Sequence, residues 1–332
     1  MTECVLHIGV EKTGSTSIQF TLAKNRAKLL ARGVLYPRAM GERNHVKAYA
    51  YASESGVDEV KSKWNLDSPA AIESFRLEVQ EELIKELAAH PADIVCISNE
   101  HCSSRLLTGP EIGRLADLLG GLCSRVRVVA YLRPQGEALR SAYSTYVKTG
   151  GMKPFRAPNA NEINRKYDYD AILARWAAAF GQENIEARIF ERERLIGGDV
   201  VEDFLARLPV ETKGLVLEQA ANPSLGRIGV EFLRRLNALV PYTIECLANP
   251  LRGNIQDLVD QAADDVPFEG DPGVMDDLDQ KMDESNERVK HRYFPAMEGP
   301  LFAPVRRNAK APSAVELSPE ILMLLIAKIW QA

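Results

Sequence analysis

One stretch near the start of the chain, HIGVEKTGSTSIQ (residues 7–19), constrains the fold more than any other. An apolar run over residues 5–10 feeds a turn carrying Gly9 and Gly14, and Ile18, Leu22, Leu29 and Leu30 then recur at helical spacing. A strand, a glycine turn and an amphipathic helix in that order form the opening unit of a parallel sheet covered by helices. The helix is expected over residues 15–31, closed by Gly33, with one face buried on the sheet.

The alternation continues through the first two-thirds of the chain. Short apolar runs predict strands at residues 5–10, 34–36, 93–98, 126–132 and 185–190. Helices are expected at 70–89 behind Ser68-Pro69, at 111–119, at 135–148, and at 169–180 ahead of Gly181. Residues 41–66 and 150–166 show no such regularity and are expected to be long loops walling an acceptor site. Beyond about residue 208 the pattern turns helical, at 225–239, 255–263, 275–292 and 319–330. The expected organisation is an α/β core over 1–208 with a P-loop-like parallel sheet flanked by helices, and a helical C-terminal extension over 209–332 packed on that core.

Composition removes several function classes. With 332 residues and a net charge of -5, the chain lacks the basic excess of a duplex nucleic-acid binder, so any anionic ligand must be held by a local site. No apolar run is long enough to span a bilayer, and the first residues lack a basic n-region, so neither a membrane span nor a signal peptide is expected. The five cysteines are scattered, with no C-x-x-C pair, which points to a reduced, cytoplasmic protein without structural zinc. Twelve Asp or Glu against one Lys between Asp257 and Glu287 read as a solvated acidic helical face, with no calcium-loop spacing.

The chemistry concentrates in the first loop. Gly9, Gly14 and Thr16 fall on the first, sixth and last positions of G-x-x-x-x-G-K-[ST], but Ser15 stands where the lysine belongs and Lys12 lies inside the loop. Backbone N–H groups at a helix start, the helix dipole and the hydroxyls of Ser15, Thr16 and Ser17 make an anion site, with Thr13 and Gly14 counted among its binding residues. A lysine within the loop suits the 5′-phosphate of a shorter nucleotide, at the bond to the group transferred. The later strands end in ISNEH and YLRPQ, neither of which supplies an obvious metal-binding Asp.

A second motif, VRVVAYLRPQGEALRSAYSTYV, delivers Arg133 at the end of a buried strand and Ser141 eight residues later on a helix. Together the two motifs resemble the sulfotransferases that use 3′-phosphoadenosine-5′-phosphosulfate. EKTGSTS resembles their 5′-phosphosulfate loop, with Glu11 in place of the common proline. YLRPQGEALRSAY resembles their 3′-phosphate motif, which implies that Arg133 and Ser141 bind the 3′-phosphate. The weaker stretches FGQENIEARIFERERL, ANPSL and ESNERVKHRYF resemble the bacterial branch that acts on carbohydrate and other non-protein acceptors. No R-K-G-x-x-G segment of the cytosolic animal enzymes is present.

The resemblance implies a co-substrate, 3′-phosphoadenosine-5′-phosphosulfate, no metal, a hydroxyl-bearing carbohydrate or glycolipid acceptor, and a His or Glu as base. Lys12 would then meet the leaving phosphate, and residues 13–17 would bind the phosphosulfate. The strand over 93–98 runs into Asn99-Glu100-His101 and offers Glu100 and His101 as bases, with Glu100 favoured because bacterial relatives often carry Glu there. His7 reads as a core or supporting residue. His45 is a further acceptor-site candidate, and Tyr49, Tyr51 and Trp64 are placed either to stack on a sugar or to pack. Two other classes stay open: a P-loop kinase of a small metabolite and a catalytically silent nucleotide-binding module.

Overall fold

The computed structural model describes residues 2–54, 58, 60–218, 225–244, 247–262, 266–307 and 317–331. Cys246 and most of the ANPSL stretch, residues 221–224, lie outside the described residues.

Five strands form one parallel sheet: β1 (Glu3–His7), β2 (Val34–Leu35), β3 (Ile94–Ser98), β4 (Arg125–Leu132) and β5 (Ile185–Ile189), in the spatial order β2-β3-β1-β4-β5. Four lie within one residue of the expected runs, β1 begins two residues and ends three residues before its expected run, and the α/β class is as the sequence implies. The chain steps outward from β1 to one side, then returns to lay β4 on the other. That reversal makes the carboxyl edge of β1 a topological switch point, where open α/β sheets bind ligands.

The alternation of side chains along each strand builds two cores. Cys4 and Leu6 of β1, Val95 and Ile97 of β3, and Val128 and Ala130 of β4 face one side, together with α4 (Pro69–Ala89), α6 (Gly109–Leu122) and α9 (Tyr169–Phe180). Val5, Cys96, Val129 and Tyr131 face the other, against α1 (Ser15–Lys24), α2 (Arg26–Leu30) and α10 (Val200–Leu205). Each face buries apolar surface worth about 25 cal/mol per Å². The helix starts are chemically marked. Ser68 accepts from the Ala71 N–H before Pro69, Thr108 and Glu111 form a reciprocal capping box, and Asp168 and Asp199 cap α9 and α10.

Two expectations need correction. The helix expected over 15–31 is broken at Asn25, a buried residue whose Nδ2 donates to the carbonyls of Thr21 (2.7 Å) and Val216 (2.8 Å). The 41–66 stretch holds α3 (Val46–Ala52), in which Ala48, Tyr49, Ala50, Tyr51 and Ala52 are all buried. A helix buried on every side has no apolar stripe to read.

Compact units divide the chain differently from a cut at 208. The first is 1–133, 159–221 and 283–302, and contains the sheet; the second is 134–158, 222–282 and 303–332. Neither is continuous, because the helix after β4 leaves the first unit at Pro134. In the first unit α5 (His101–Arg105) follows β3, and α8 (Ala160–Glu162) runs into a π-helical turn, Ile163–Tyr167, before α9. The second unit contains α7 (Gln135–Lys148), α11 (Arg227–Leu239), a hairpin of β6 (Thr243–Ile244) and β7 (Leu247–Ala248), α12 (Ile255–Ala262) and α14 (Pro319–Gln331). Its core gathers Val147, Leu225, Val230, Leu233 and Val259. Helix α13 (Pro272–Tyr293) carries much of the acidic run, and within the second unit its Asp279 pairs with Arg307 at 2.7 Å. Among the described residues no helix is long and apolar enough to cross a membrane.

Candidate active site

The loop between β1 and α1 is wound tightly by three left-handed residues: Gly9 (φ 62°), Lys12 (φ 72°) and Gly14 (φ 81°). For the glycines this conformation costs nothing special. Lys12 is different, since a non-glycine residue there carries strain on the order of 1 kcal/mol and such strain gathers at functional sites. Among the described residues only Asn65 shares that trait. The Thr13 hydroxyl donates to the Val10 carbonyl at 2.7 Å and closes the turn from inside.

Helix α1 then starts without a side-chain cap, its first bond running from the Ile18 N–H to the Gly14 carbonyl at 3.2 Å. Helix geometry leaves the N–H groups of Ser15, Thr16 and Ser17 without an intrahelical acceptor, beside the positive end of the dipole. Ser15 is buried, and its Oγ has no hydrogen-bond partner among the described residues. An orphaned hydroxyl at a helix start inside a glycine-wound loop fits a phosphate or sulfate oxygen. Ser17 is also buried, whereas Thr16 is exposed.

Glu100 stands against this loop. A Cβ added to Gly9 would lie 2.8 Å from Glu100 Cβ and 3.1 Å from Ser15 Oγ, so only glycine admits Glu100 this close to the loop. Gly9→Ala is expected to destabilise the protein by about 1–3 kcal/mol, from the clash together with the strained φ. Denaturant titration measures this, and an unchanged midpoint would contradict the contact. Both carboxylate oxygens of Glu100 are held: Oε2 accepts from Gln19 Nε2 at 2.7 Å, and Oε1 from Asn44 Nδ2 at 3.2 Å. His101, the first residue of α5, lies edge-on to Tyr49 with ring centroids 6.0 Å apart.

Arg133 follows β4 and donates from Nη1 to the carbonyl of Lys12 at 3.0 Å, with its guanidinium 5.7 Å from the centre of the Phe190 ring. The residue after β4 thus reaches the first loop. Ser141 is half-buried on α7, in the second unit. Lys12, Thr13, Gly14, Ser15, Thr16, Ser17, Glu100, His101 and Arg133 all belong to the first unit, on the segments that leave the carboxyl ends of β1, β3 and β4.

Four participants, Gln19, Asn44, Glu11 and Lys166, are not among the site residues that sequence reasoning assigns. Gln19 lies one helical turn beyond Ser15, a spacing that could have marked it as loop-facing. Asn44 sits in an irregular stretch and carried no signal. Glu11, where the resembling family has proline, pairs with Lys166 of the π-turn at 2.8 Å. Burial pushes the Glu11 carboxyl up, but the Lys166 ammonium beside it, the Ser104 hydroxyl and the His101 charge outweigh burial and hold it below the usual carboxylate range.

A carboxyl depressed in the folded state stabilises fully above its unfolded pKa of about 4.3, and that stability is lost as pH falls through the lower folded value. The melting-temperature gap between wild type and Glu11→Gln is therefore expected to be widest at neutral pH and to close in acid. Thermal denaturation at pH 7, 5 and 3 checks it, and a gap independent of pH would count against the pair.

Other candidates take structural places. His45 is fully buried, stacked on Tyr36 at 3.9 Å, and its Nδ1 accepts from the Ser98 N–H at 3.3 Å, so it supports β3 and is not placed to meet an acceptor. Burial keeps it neutral, well below the usual histidine range. His7 is likewise buried and held down to about 3, sharing a 2.8 Å hydrogen bond with Ser98 Oγ. Tyr49 and Tyr51 are buried in α3, and Trp64 packs on Phe75.

Fold and site define a parallel α/β protein with a glycine-wound loop and an uncapped helix start at its switch point. No known family model matches the chain. It is similar to an uncharacterized protein of Archaeoglobus fulgidus, 33% identical over 114 residues, which is 33% of this chain and 30% of that protein's length. It is also similar in structure to a sulfotransferase from Alicyclobacillus acidocaldarius, with 16% identity and a TM-score of 0.37, over 71% of this chain and 91% of the other. Neither likeness is close enough to assign chemistry.

Proposed function

We propose that this chain is a sulfotransferase that moves a sulfuryl group from 3′-phosphoadenosine-5′-phosphosulfate to a hydroxyl, that of a carbohydrate or glycolipid. The reading rests on one observation above the rest: Glu100 packs its Cα and Cβ against Gly9 of a phosphate-type loop whose lysine, Lys12, lies inside the turn, and its carboxylate accepts from Gln19 of the helix that follows that loop. A triphosphate loop needs its lysine after the second glycine, whereas a transfer that releases a 5′-phosphate needs a cation at the bridging oxygen and a base beside it. In this reading the acceptor oxygen attacks sulfur while the bond from sulfur to the bridging oxygen breaks. The electron pair leaves on the phosphate, where Lys12 meets it, and the acceptor's proton passes to Glu100. Residues 13–17 hold the phosphosulfate, and Arg133 and Ser141 take the 3′-phosphate.

Adenosine 3′,5′-bisphosphate is then expected to raise the melting temperature. At a hundred times its dissociation constant the stabilisation is about 2.7 kcal/mol, a shift of a few degrees in a protein of this size. Sulfur-labelled donor offered with carbohydrate, glycolipid and phenolic hydroxyls should label an acceptor. A shift with no transfer would leave a silent nucleotide-binding module. A shift seen only with ATP and Mg²⁺, and abolished by chelator, would replace this reading with a kinase.

A further inference from the structure

We propose that Gln19 and Asn44 are positioning residues that clamp the Glu100 carboxylate in one orientation beside the loop, an inference that rests on the sulfotransferase reading. Gln19 comes from α1 and Asn44 from the segment before α3, so the two amides reach the carboxylate from different elements. Gln19 Nε2 donates to Oε2 at 2.7 Å and Asn44 Nδ2 to Oε1 at 3.2 Å. Each oxygen keeps a second lone pair for an acceptor's proton.

Both amides are themselves fixed. Asn44 Oδ1 accepts from Asn99 Nδ2, which dictates that its NH₂ face Glu100. Asn99 is in turn anchored, its backbone N–H donating to the His7 carbonyl at 2.9 Å and its Oδ1 accepting from Cys102 Sγ. Gln19 Nε2 also reaches Ser98 Oγ at 3.4 Å, and that hydroxyl is tied to the buried ring of His7 at 2.8 Å. A buried polar network thus runs from the centre of the sheet to the carboxylate. A glutamate side chain otherwise samples many rotamers, and proton transfer requires an oxygen held within hydrogen-bond reach of the acceptor. The clamp stops that rotation before any ligand arrives.

The test uses the full chain, single-turnover transfer from sulfur-labelled 3′-phosphoadenosine-5′-phosphosulfate, and two probe acceptors, water and octyl β-glucoside. Gln19→Met and Asn44→Ala are each expected to lower the transfer rate roughly ten- to a hundredfold, as the loss of a charge-assisted bond implies. KM for the donor and the melting shift with adenosine 3′,5′-bisphosphate should stay as in wild type. The deciding measurement is the double variant. In a Glu100→Gln background the same changes should cost almost nothing further, because residues acting through one group are not additive. Equal losses in both backgrounds, or unaltered rates in the single variants, would overturn the clamp while leaving the sulfotransferase reading in place. No transfer by wild type to either probe would overturn the clamp together with the reading it rests on. Should Gln19→Met fail to fold, Asn44→Ala carries the test alone.

Discussion

Glu100→Gln is expected to lower sulfuryl transfer by on the order of a hundred- to ten-thousand-fold, the usual contribution of a positioned general base. The substitution keeps the shape of the side chain; its one amide carbonyl can accept from Gln19 or from Asn44, while its NH₂ faces the other donor. It removes the basicity and one of the two hydrogen bonds, so a small loss of stability is expected, while binding of adenosine 3′,5′-bisphosphate should be unchanged. His101 is the control, being the first residue of α5 and the other base offered by the same strand end. If His101→Ala proves inactive and Glu100→Gln transfers normally, the histidine is the base and the Glu100 carboxylate is structural. Rates at saturating donor, with melting temperatures to exclude unfolding, decide between them.

Lys12→Ala should cost about a hundredfold in turnover, the effect of roughly 3 kcal/mol lost from the transition state. Charge on the bridging oxygen develops as the bond to sulfur breaks, so donor binding should weaken much less than turnover. The backbone makes the experiment cleaner than most. Alanine carries a Cβ as lysine does, so the strain at φ 72° is the same in both and the loss reports the ammonium alone. Lys12→Gly relieves that strain and should be the more stable variant, yet equally slow. Parallel losses in donor affinity and turnover would instead assign Lys12 a general binding role.

Much of this site was legible in the chain because its signals are local. The turn with Gly9, Lys12 and Gly14 and the helix start at Ser15 lie within a few residues of one another, where steric rules and hydrogen-bonding needs act directly. The strand runs ending at Ser98 and Leu132 could be read for the same reason, and they carry Glu100 and Arg133 to one edge. His45 misled because an irregular stretch of sequence looks like loop whether or not it is buried, and here it packs on Tyr36.

The sequence by itself determined the strand-turn-helix opening, the parallel α/β class and which side chains stand at the carboxyl ends of the strands. Period-2 and period-3.6 patterns and glycine positions are properties of short segments. Only the tertiary structure decided the partners. Gln19 and Glu100 are 81 residues apart, Glu11 and Lys166 are 155 apart, and the break at Asn25 depends on Val216, 191 residues on. Hydrogen bonds and ion pairs act over a few ångströms in space and leave no periodicity in the chain. Only the fold, by stacking β3 and β4 on either side of β1, brings those distant groups within reach of one loop.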